Sequence, residues 1–330
     1  MMGVRRSNAA RSASRGVASV ANPTIAIVGA GRVGSALGRR LREKGWRIGP
    51  VISRSQRSAR EARRRIGSGT PQGELSEPVL DADVILISTP DRAIADTAAA
   101  LARFGEYGSS PAKRGAKRHR KPRGKPWRGK IVLHTSGALA SDVLKPLALL
   151  GSATGSLHPL QTFSGRTLPS LAGSVCVIEG SAAALRMARR ICRDLGCIAV
   201  TLPPRSKAAY HAGAALAAGH ILAAFEAAVR MLVQAGFSKA RAVAALLPLT
   251  RQTLANYERV GPRAAPRTAW TGPLARGDFG VIQRHLKALR RFPPEYRAAY
   301  EALSKLALRV LANGTPATRR ELQRTLASIK

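Results

Sequence analysis

The stretch Thr24-Ile25-Ala26-Ile27-Val28-Gly29-Ala30-Gly31-Arg32-Val33-Gly34-Ser35-Ala36-Leu37 constrains this chain more than any other. An apolar, β-branched run leads directly into three glycines and then into helix-forming residues. Glycines at this spacing mean little alone; between a strand and a helix they form a dinucleotide fingerprint. Gly29 permits the tight turn out of the strand, Gly31 leaves room for a pyrophosphate near the backbone, and Gly34 lets the helix pack close to the sheet. The unpaired amides of the helix's first turn and its dipole favour phosphate. Gly29, Ala30, Gly31, Arg32, Val33 and Gly34 are therefore candidate cofactor contacts.

Strand and helix signals keep alternating through the first half. Residues 46–52 read as a second strand and 56–66 as a helix. Asp83-Val84-Ile85-Leu86-Ile87-Ser88 reads as a buried strand followed by an Ala-rich helix to about Phe104, and Ile131–His134 as another strand. Short, nearly continuous apolar runs are what parallel strands covered on both faces require. Ligands of such sheets bind beyond the strands' carboxyl ends. Residues 29–34, 53–55, 89–91 and 135–137 are therefore expected to meet in one crevice. Farther on, residues 174–178 and 197–202 read as strands around a helix over Ala182–Leu195. After Pro203-Pro204 the pattern is helical, with a long helix over 206–235 and others over 239–259, 278–291 and 295–312. The expected fold is an α/β Rossmann domain with a parallel, doubly wound sheet (23–155), a small α/β extension (156–202) and an α-helical C-terminal domain (203–330).

Charge is unevenly spread. The chain has 55 Lys+Arg against 18 Asp+Glu, a net charge of +37. Residues 1–22 contain four arginines and no acid, and read as a basic disordered tail without the apolar segment of a secretory signal. Residues 113–130 hold ten Lys/Arg and read as an exposed, disordered basic insert. Trp127 is its one aromatic, whereas single-strand binders interleave several. Nucleic-acid contact through this insert is thus the minor reading. The apolar stretch 212–228 is broken by His220 and Glu226 and rich in weakly hydrophobic Ala, so no membrane span is expected. Cys176, Cys192 and Cys197 lack metal-ligand spacing and read as reduced, mostly buried thiols of a cytoplasmic protein. No metal site is expected.

An NAD site normally places a carboxylate at the end of the second strand for the ribose 2′-hydroxyl. Here the place is held by Ser53-Arg54-Ser55, with Arg57 nearby. A guanidinium between two hydroxyls suits a 2′-phosphate, so the expected cofactor is NADP, with Thr89 and Pro90 completing its site.

Four motifs occur in order: residues 29–34, His134-Thr135-Ser136-Gly137, Ser156-Leu157-His158-Pro159-Leu160-Gln161-Thr162-Phe163 and Thr271-Gly272-Pro273-Leu274-Ala275-Arg276-Gly277-Asp278. Together, over about Pro23 to Ala312, they resemble an uncharacterised bacterial family in which a Rossmann-like domain precedes a C-terminal domain of unknown function. More remotely the chain is similar to the superfamily of 6-phosphogluconate and β-hydroxyacid dehydrogenases, ketopantoate reductase and pyrroline-5-carboxylate reductase. The basic tail and insert have no counterpart in that pattern. The resemblance implies an NADP-dependent oxidoreductase moving hydride to or from a small carbonyl, hydroxy acid or imine held between the domains. The alternative is a non-catalytic NADP-binding sensor or scaffold.

In the β-hydroxyacid branch a lysine opening the first long C-terminal helix acts near the substrate, with a polar residue one turn later. Lys207 and His211 stand in those places, on one helical face by their i, i+4 spacing. His211 departs from the asparagine common there, so proton-transfer details do not carry over. Either residue suits a donor to the charge developing on a reduced carbonyl or imine. The competing structural readings are a helix cap for Lys207 and an interface histidine for His211.

Ser136, His158 and Arg276 are the candidate substrate contacts. Ser136 could equally satisfy its own turn, and Arg276 could equally pair with Asp278, itself expected to cap the next helix. His220, on the opposite helical face, reads as a packed core or subunit-contact residue. The superfamily implies a homodimer through the C-terminal helices.

Overall fold

The computed structural model describes residues 23–107, 126–165, 167–262 and 266–311, together with 320, 321 and 324. The expected basic tail, and the insert as far as residue 125, lie outside these. Two compact units divide at Leu216/Ala217.

The first unit holds strands β1 (Thr24–Val28), β2 (Arg47–Ile52), β3 (Thr70–Gln72), β4 (Val84–Ile87), β5 (Ile131–His134), β6 (Ala153–Pro159), β7 (Val175–Gly180) and β8 (Ile198–Thr201). Helices α1 (Arg32–Glu43), α2 (Gln56–Ile66), α3 (Asp91–Tyr107), α4 (Lys145–Leu149), α5 (Ala182–Leu195) and α6 (Lys207–Ala215) connect or follow them. All eight strands form one sheet in the order β3-β2-β1-β4-β5-β6-β7-β8. Pairing is parallel except at β6–β7.

The alternation of side chains along a strand explains why β1, β4 and β5 are apolar throughout. Ala26, Val28, Ile85, Ile87 and Val132 face one way, into a core closed by Ile94, Ala98 and Leu101 of α3 and Leu147 of α4. Ile25, Val84, Leu86 and Leu133 face the other way, under Leu37 and Leu41 of α1 and Ala184, Ala188 and Ile191 of α5. A strand sandwiched on both faces has no solvent side to make polar. Cys176 and Cys192 are buried in the second of these cores, and all three cysteines are free thiols.

The expected α/β extension at 156–202 supplies β7, β8 and most of β6, which lengthen the same sheet. The expected disordered insert needs correction. The final residues of the expected basic loop belong to the fold. Trp127 is fully buried beneath α3, and Lys130 Nζ donates to Ala82 O at 2.9 Å. An indole gains enough from burial to draw its neighbours out of solvent. Gly105 of α3 makes that possible, since a Cβ there would lie 2.0 Å from Trp127 Nε1. The expected long helix over 206–235 is present as one helical run, Pro204–Gln234, in which a π turn at Leu216–His220 separates α6 from α7 (Ile221–Gln234). His220 sits exposed in that turn rather than in a core.

By length and composition, the helical run Pro204–Gln234 is apolar enough to cross a membrane, with an 18-residue window of mean hydropathy 1.6. It contains the apolar stretch 212–228 noted from the sequence; alanine with few charges suffices for such a hydropathy.

The second unit consists of α7, α8 (Lys239–Val260), α9 (Pro273–Arg276), α10 (Phe279–Leu289) and α11 (Pro294–Val310). Its core is small: Ile282, Leu286 and Leu308, backed by Trp270, Leu274, Phe279 and Tyr300.

Candidate functional site

The glycine turn behaves as its three positions require. Gly29 has φ +84°, and a Cβ there would lie 2.5 Å from Thr89 N and 2.8 Å from Ser88 C. A Cβ at Gly34 would come within 3.1 Å of Gly29 O, Ile27 Cγ2 and Ser88 Cβ. Above Gly31 there is open space, with the nearest atom 4.0 Å away. The amides of Gly29 and Ala30 donate to Ile52 O at 2.9 and 3.1 Å, and that of Gly31 to Gly29 O. Ala30 therefore ties the turn to β2 and offers no amide to a ligand. The amides of Arg32, Val33 and Gly34 remain, in the first turn of α1, where no carbonyl four residues back can accept them. Val33 also packs against the core, and the Arg32 side chain lies over Gly165.

Opposite this turn, the hydroxyls of Ser88 and Thr89 are buried without a hydrogen-bond partner. At the tip of β2, Arg54 is exposed and has no ion pair among the described residues. Ser55 proves to be the N-cap of α2: its Oγ accepts from Ser58 N at 3.2 Å. Its side chain is thus at least shared between the helix and any phosphate. The backbone of Ser53 bonds Gln72 O. An open cradle, first-turn amides, orphaned hydroxyls and a cation in place of a carboxylate together fit a dinucleotide carrying a 2′-phosphate.

A second cluster gathers at the carboxyl ends of β5 and β6. Lys207 opens α6 and is fully buried. Its Nζ donates to Ser136 O at 3.1 Å and to Ser156 Oγ at 2.6 Å. Ser136 Oγ donates to Asp91 Oδ2 at 2.8 Å and accepts from the amides of Ala138 and Leu139. Its hydroxyl thus does shape the turn, as the structural reading held, and it also joins that turn to the start of α3. His158 Nδ1 shares a 2.7 Å hydrogen bond with Tyr210 OH, and its ring meets that of His211 edge-on at 5.5 Å.

Gly137 is the floor beneath both histidines. A Cβ there would lie 2.4 Å from His211 Nδ1 and 2.9 Å from His158 Nε2. His211 Nδ1 is itself buried and unpartnered. His134, behind them, accepts from Ser136 N at Nδ1 and bonds Ala140 O through Nε2, a pattern that assigns the Nε2–H tautomer.

Burial sets the protonation states here. It brings Lys207 down to about 8, opposed by the charges of Glu179 and Asp91. It brings His134 and His158 down to about 4, so both are neutral at pH 7; Lys207 adds to the effect on each, after His211 in the case of His158. Tyr210 is pushed up to about 12, again by burial. The cluster is thus an ammonium that titrates near 8 beside a neutral imidazole–phenol pair, groups suited to handing a proton to a small polar molecule. Replacing Gly137 with alanine is expected to displace both rings and cost about 1–3 kcal/mol. Unchanged urea unfolding and unchanged imidazole NMR signals in this variant would contradict that packing.

Of the residues singled out from sequence, Ser136, His158, Lys207 and His211 meet in this cluster, and 29–34 and Thr89-Pro90 form the turns that follow β1 and β4. Arg276 lies in the second unit, where its Nε donates to Asp278 Oδ2 at 2.9 Å. Asp278 spends its carboxylate on that pair and makes no side-chain cap to α10, contrary to expectation. Sequence reading assigned no individual role to Asp91, Ser156, Tyr210 or Gly137, although segments 89–91 and 135–137 were expected at the crevice. Two carried a periodic signal: Ser156 is two residues before His158 on one strand face, and Tyr210 is one turn after Lys207. A hollow of about 850 Å³ lies elsewhere, on α2 and β3 beside Arg57, Arg60, Arg63 and Arg64.

A doubly wound sheet with this crevice defines a nucleotide-binding α/β protein. Two family models match the chain: "NADP oxidoreductase coenzyme F420-dependent" over residues 24–107 and a "domain of unknown function (DUF2520)" over residues 174–307. The chain thus joins a Rossmann domain of the NADP-oxidoreductase type to that domain of unknown function, as its motifs implied. A solved structure from Bacteroides fragilis, described as an NADP oxidoreductase, is 23% identical. It covers 87% of this chain and 98% of its own, with a TM-score of 0.66. A reductive aminase from Aspergillus terreus, in complex with NADPH and ethyl-5-oxohexanoate, is 13% identical over 94% of this chain and 100% of its own, with a TM-score of 0.61. Glutamyl-tRNA reductase of Caldivirga maquilingensis is 38% identical over 69 residues, 21% of this chain and 17% of that enzyme.

Proposed function

We propose that this protein is an NADPH-dependent oxidoreductase acting on a small carbonyl, hydroxy acid or imine. The observation that supports it best is the meeting of two features at one end of one sheet. An open dinucleotide cradle lies beyond β1 and β4, and a buried amine with its polar escort lies beyond β5 and β6. The amides of Arg32–Gly34 would hold the pyrophosphate, Ser88 and Thr89 the neighbouring polar groups, and Arg54 with Ser53 the 2′-phosphate. When bound, NADPH supplies a hydride.

The chain's own residues do the rest. Ser136 and Ser156 hold the Lys207 ammonium fixed, while His158, oriented by Tyr210, and His211 form the polar wall of the site. Lys207 and His211 are the proton donors to the atom that gains negative charge. Burial brings the Lys207 amine down to about 8, so it can release its proton near that pH. Ser136 and His158 orient the substrate. Arg276 is a substrate contact only if its pair with Asp278 opens.

Titration with both nucleotides tests the cofactor: NADPH should bind at least tenfold tighter than NADH, and Arg54→Ala should erase the difference. Lys207→Ala should abolish NADPH oxidation with a panel of keto acids and cyclic imines while keeping NADPH affinity. Binding without oxidation across the panel would leave the sensor reading instead.

We also propose a homodimer through the C-terminal helices. Ile221, Leu222, Val233, Phe237, Leu247, Leu249 and Leu254 are exposed in the single chain, whereas α7 buries only Val229 and α8 only Ala242. So much exposed apolar side chain is unusual for a monomer. Light scattering should give twice the 34.9 kDa chain mass.

A further inference from the structure

We propose that Glu179 is the counter-ion of Lys207, a positioning residue that balances the buried ammonium from across the antiparallel β6–β7 pair. The proposal rests on the reading of Lys207 above and extends it. Glu179 is only 6% exposed. Its register partner on β6 is Ser156, the residue whose hydroxyl accepts from Lys207 Nζ at 2.6 Å. Directly opposed residues point to the same face, with Cβ atoms about 5 Å apart. Glu179 and Lys207 therefore flank one serine on one face of the sheet.

The carboxylate is held in place there. Ser141 donates to it twice, through N at 2.8 Å and through Oγ at 2.6 Å. Two neutral donors do not offset the desolvation of a buried charge, whereas an ammonium one side chain away supplies the missing compensation. The other groups facing Lys207 do less. Asp91 on α3 is bonded to Ser136 Oγ, His134 on β5 and His158 on β6 are neutral, and Tyr210 and His211 belong to the lysine's own helix. Of the two carboxylates that oppose the desolvation of Lys207, Glu179 has the larger influence.

The rival explanation is that Glu179 merely caps the short turn Ser141–Leu144, whose first amide it accepts. Charge separates the two roles. Glutamine at 179 keeps an acceptor for the Ser141 amide and loses the negative charge.

The test is carbon-13 NMR of the lysine Cε groups in the full-length protein, with the Lys207 signal assigned by its absence in Lys207→Met. Glu179→Gln should lower the Lys207 titration midpoint by about one pH unit, a tenfold change in its ionisation constant. A folded Glu179→Gln protein with an unmoved midpoint overturns the proposal and leaves only the cap. Should Glu179→Gln not fold alone, Glu179→Gln combined with Lys207→Met decides. Recovery of folding supports the counter-ion role, because the uncompensated ammonium is gone; continued failure to fold overturns it. Neither readout needs cofactor or substrate, so failure of the oxidoreductase reading would register separately.

Discussion

Replacing Gly29 with alanine should yield a protein that has lost both much of its stability and its affinity for NADPH. The φ of +84° costs an alanine about 1–2 kcal/mol. The added methyl would then lie 2.5 Å from Thr89 N, a backbone atom of the neighbouring strand end that cannot swing aside. Overpacking of this kind costs about 1–3 kcal/mol more. The sum, about 2–5 kcal/mol, is a large share of the ~5–15 kcal/mol by which domains are typically stable. Gly31→Ala is the informative contrast. Its nearest neighbour is 4.0 Å away, so folding should be preserved while the new methyl occupies the space proposed for the pyrophosphate. Urea unfolding and NADPH fluorescence titration on both variants check this. Wild-type NADPH affinity in Gly31→Ala would remove the pyrophosphate from this turn.

The second large effect expected is a loss of stability in acid. His134 is fully buried and titrates near 4 in the folded chain, against an ordinary value of 6.5. Between those values the unfolded chain takes up the proton and the folded chain does not, so unfolding becomes easier as pH falls through that window. Below about 4 the loss is complete, at about 3 kcal/mol for His134 alone. His158 acts in the same direction. Lys207 produces a matching slope at the alkaline end. Its folded-state value of about 8 lies below the ordinary 10.5, so stability should rise with pH between the two. Unfolding midpoints from pH 4 to 7, for the wild type and His134→Gln, provide the check. A His134→Gln curve as steep as the wild type's would place the acid sensitivity elsewhere.

The two halves of the site differ in how much of them sequence reveals. Gly29, Gly31 and Gly34 are legible because their work is local: a positive φ, a gap and a close contact, all within six residues. Arg54 is legible for a related reason, since the strand's end sets its place. Ser55 shows the limit of that logic. A serine before a helix serves the helix first, and the bond from Ser58 N shows that it does. Trp127 was misread because the charges around it describe solvent exposure on average, and one indole can depart from the average by burying itself.

What the amino-acid sequence by itself determined is the succession of strands and helices, the glycine turn with its cation at the next strand tip, and the face on which Lys207 and His211 lie. Each is set by neighbours a few residues apart, where backbone geometry alone fixes the distances. Only the tertiary structure decided that Glu179 stands across from Ser156, that Asp91 reaches Ser136 and that Gly137 underlies two histidines. Those meetings depend on strand register and on the reversal of β7 against β6. Register is chosen by the packing of both sheet faces together, and no short stretch of sequence contains it.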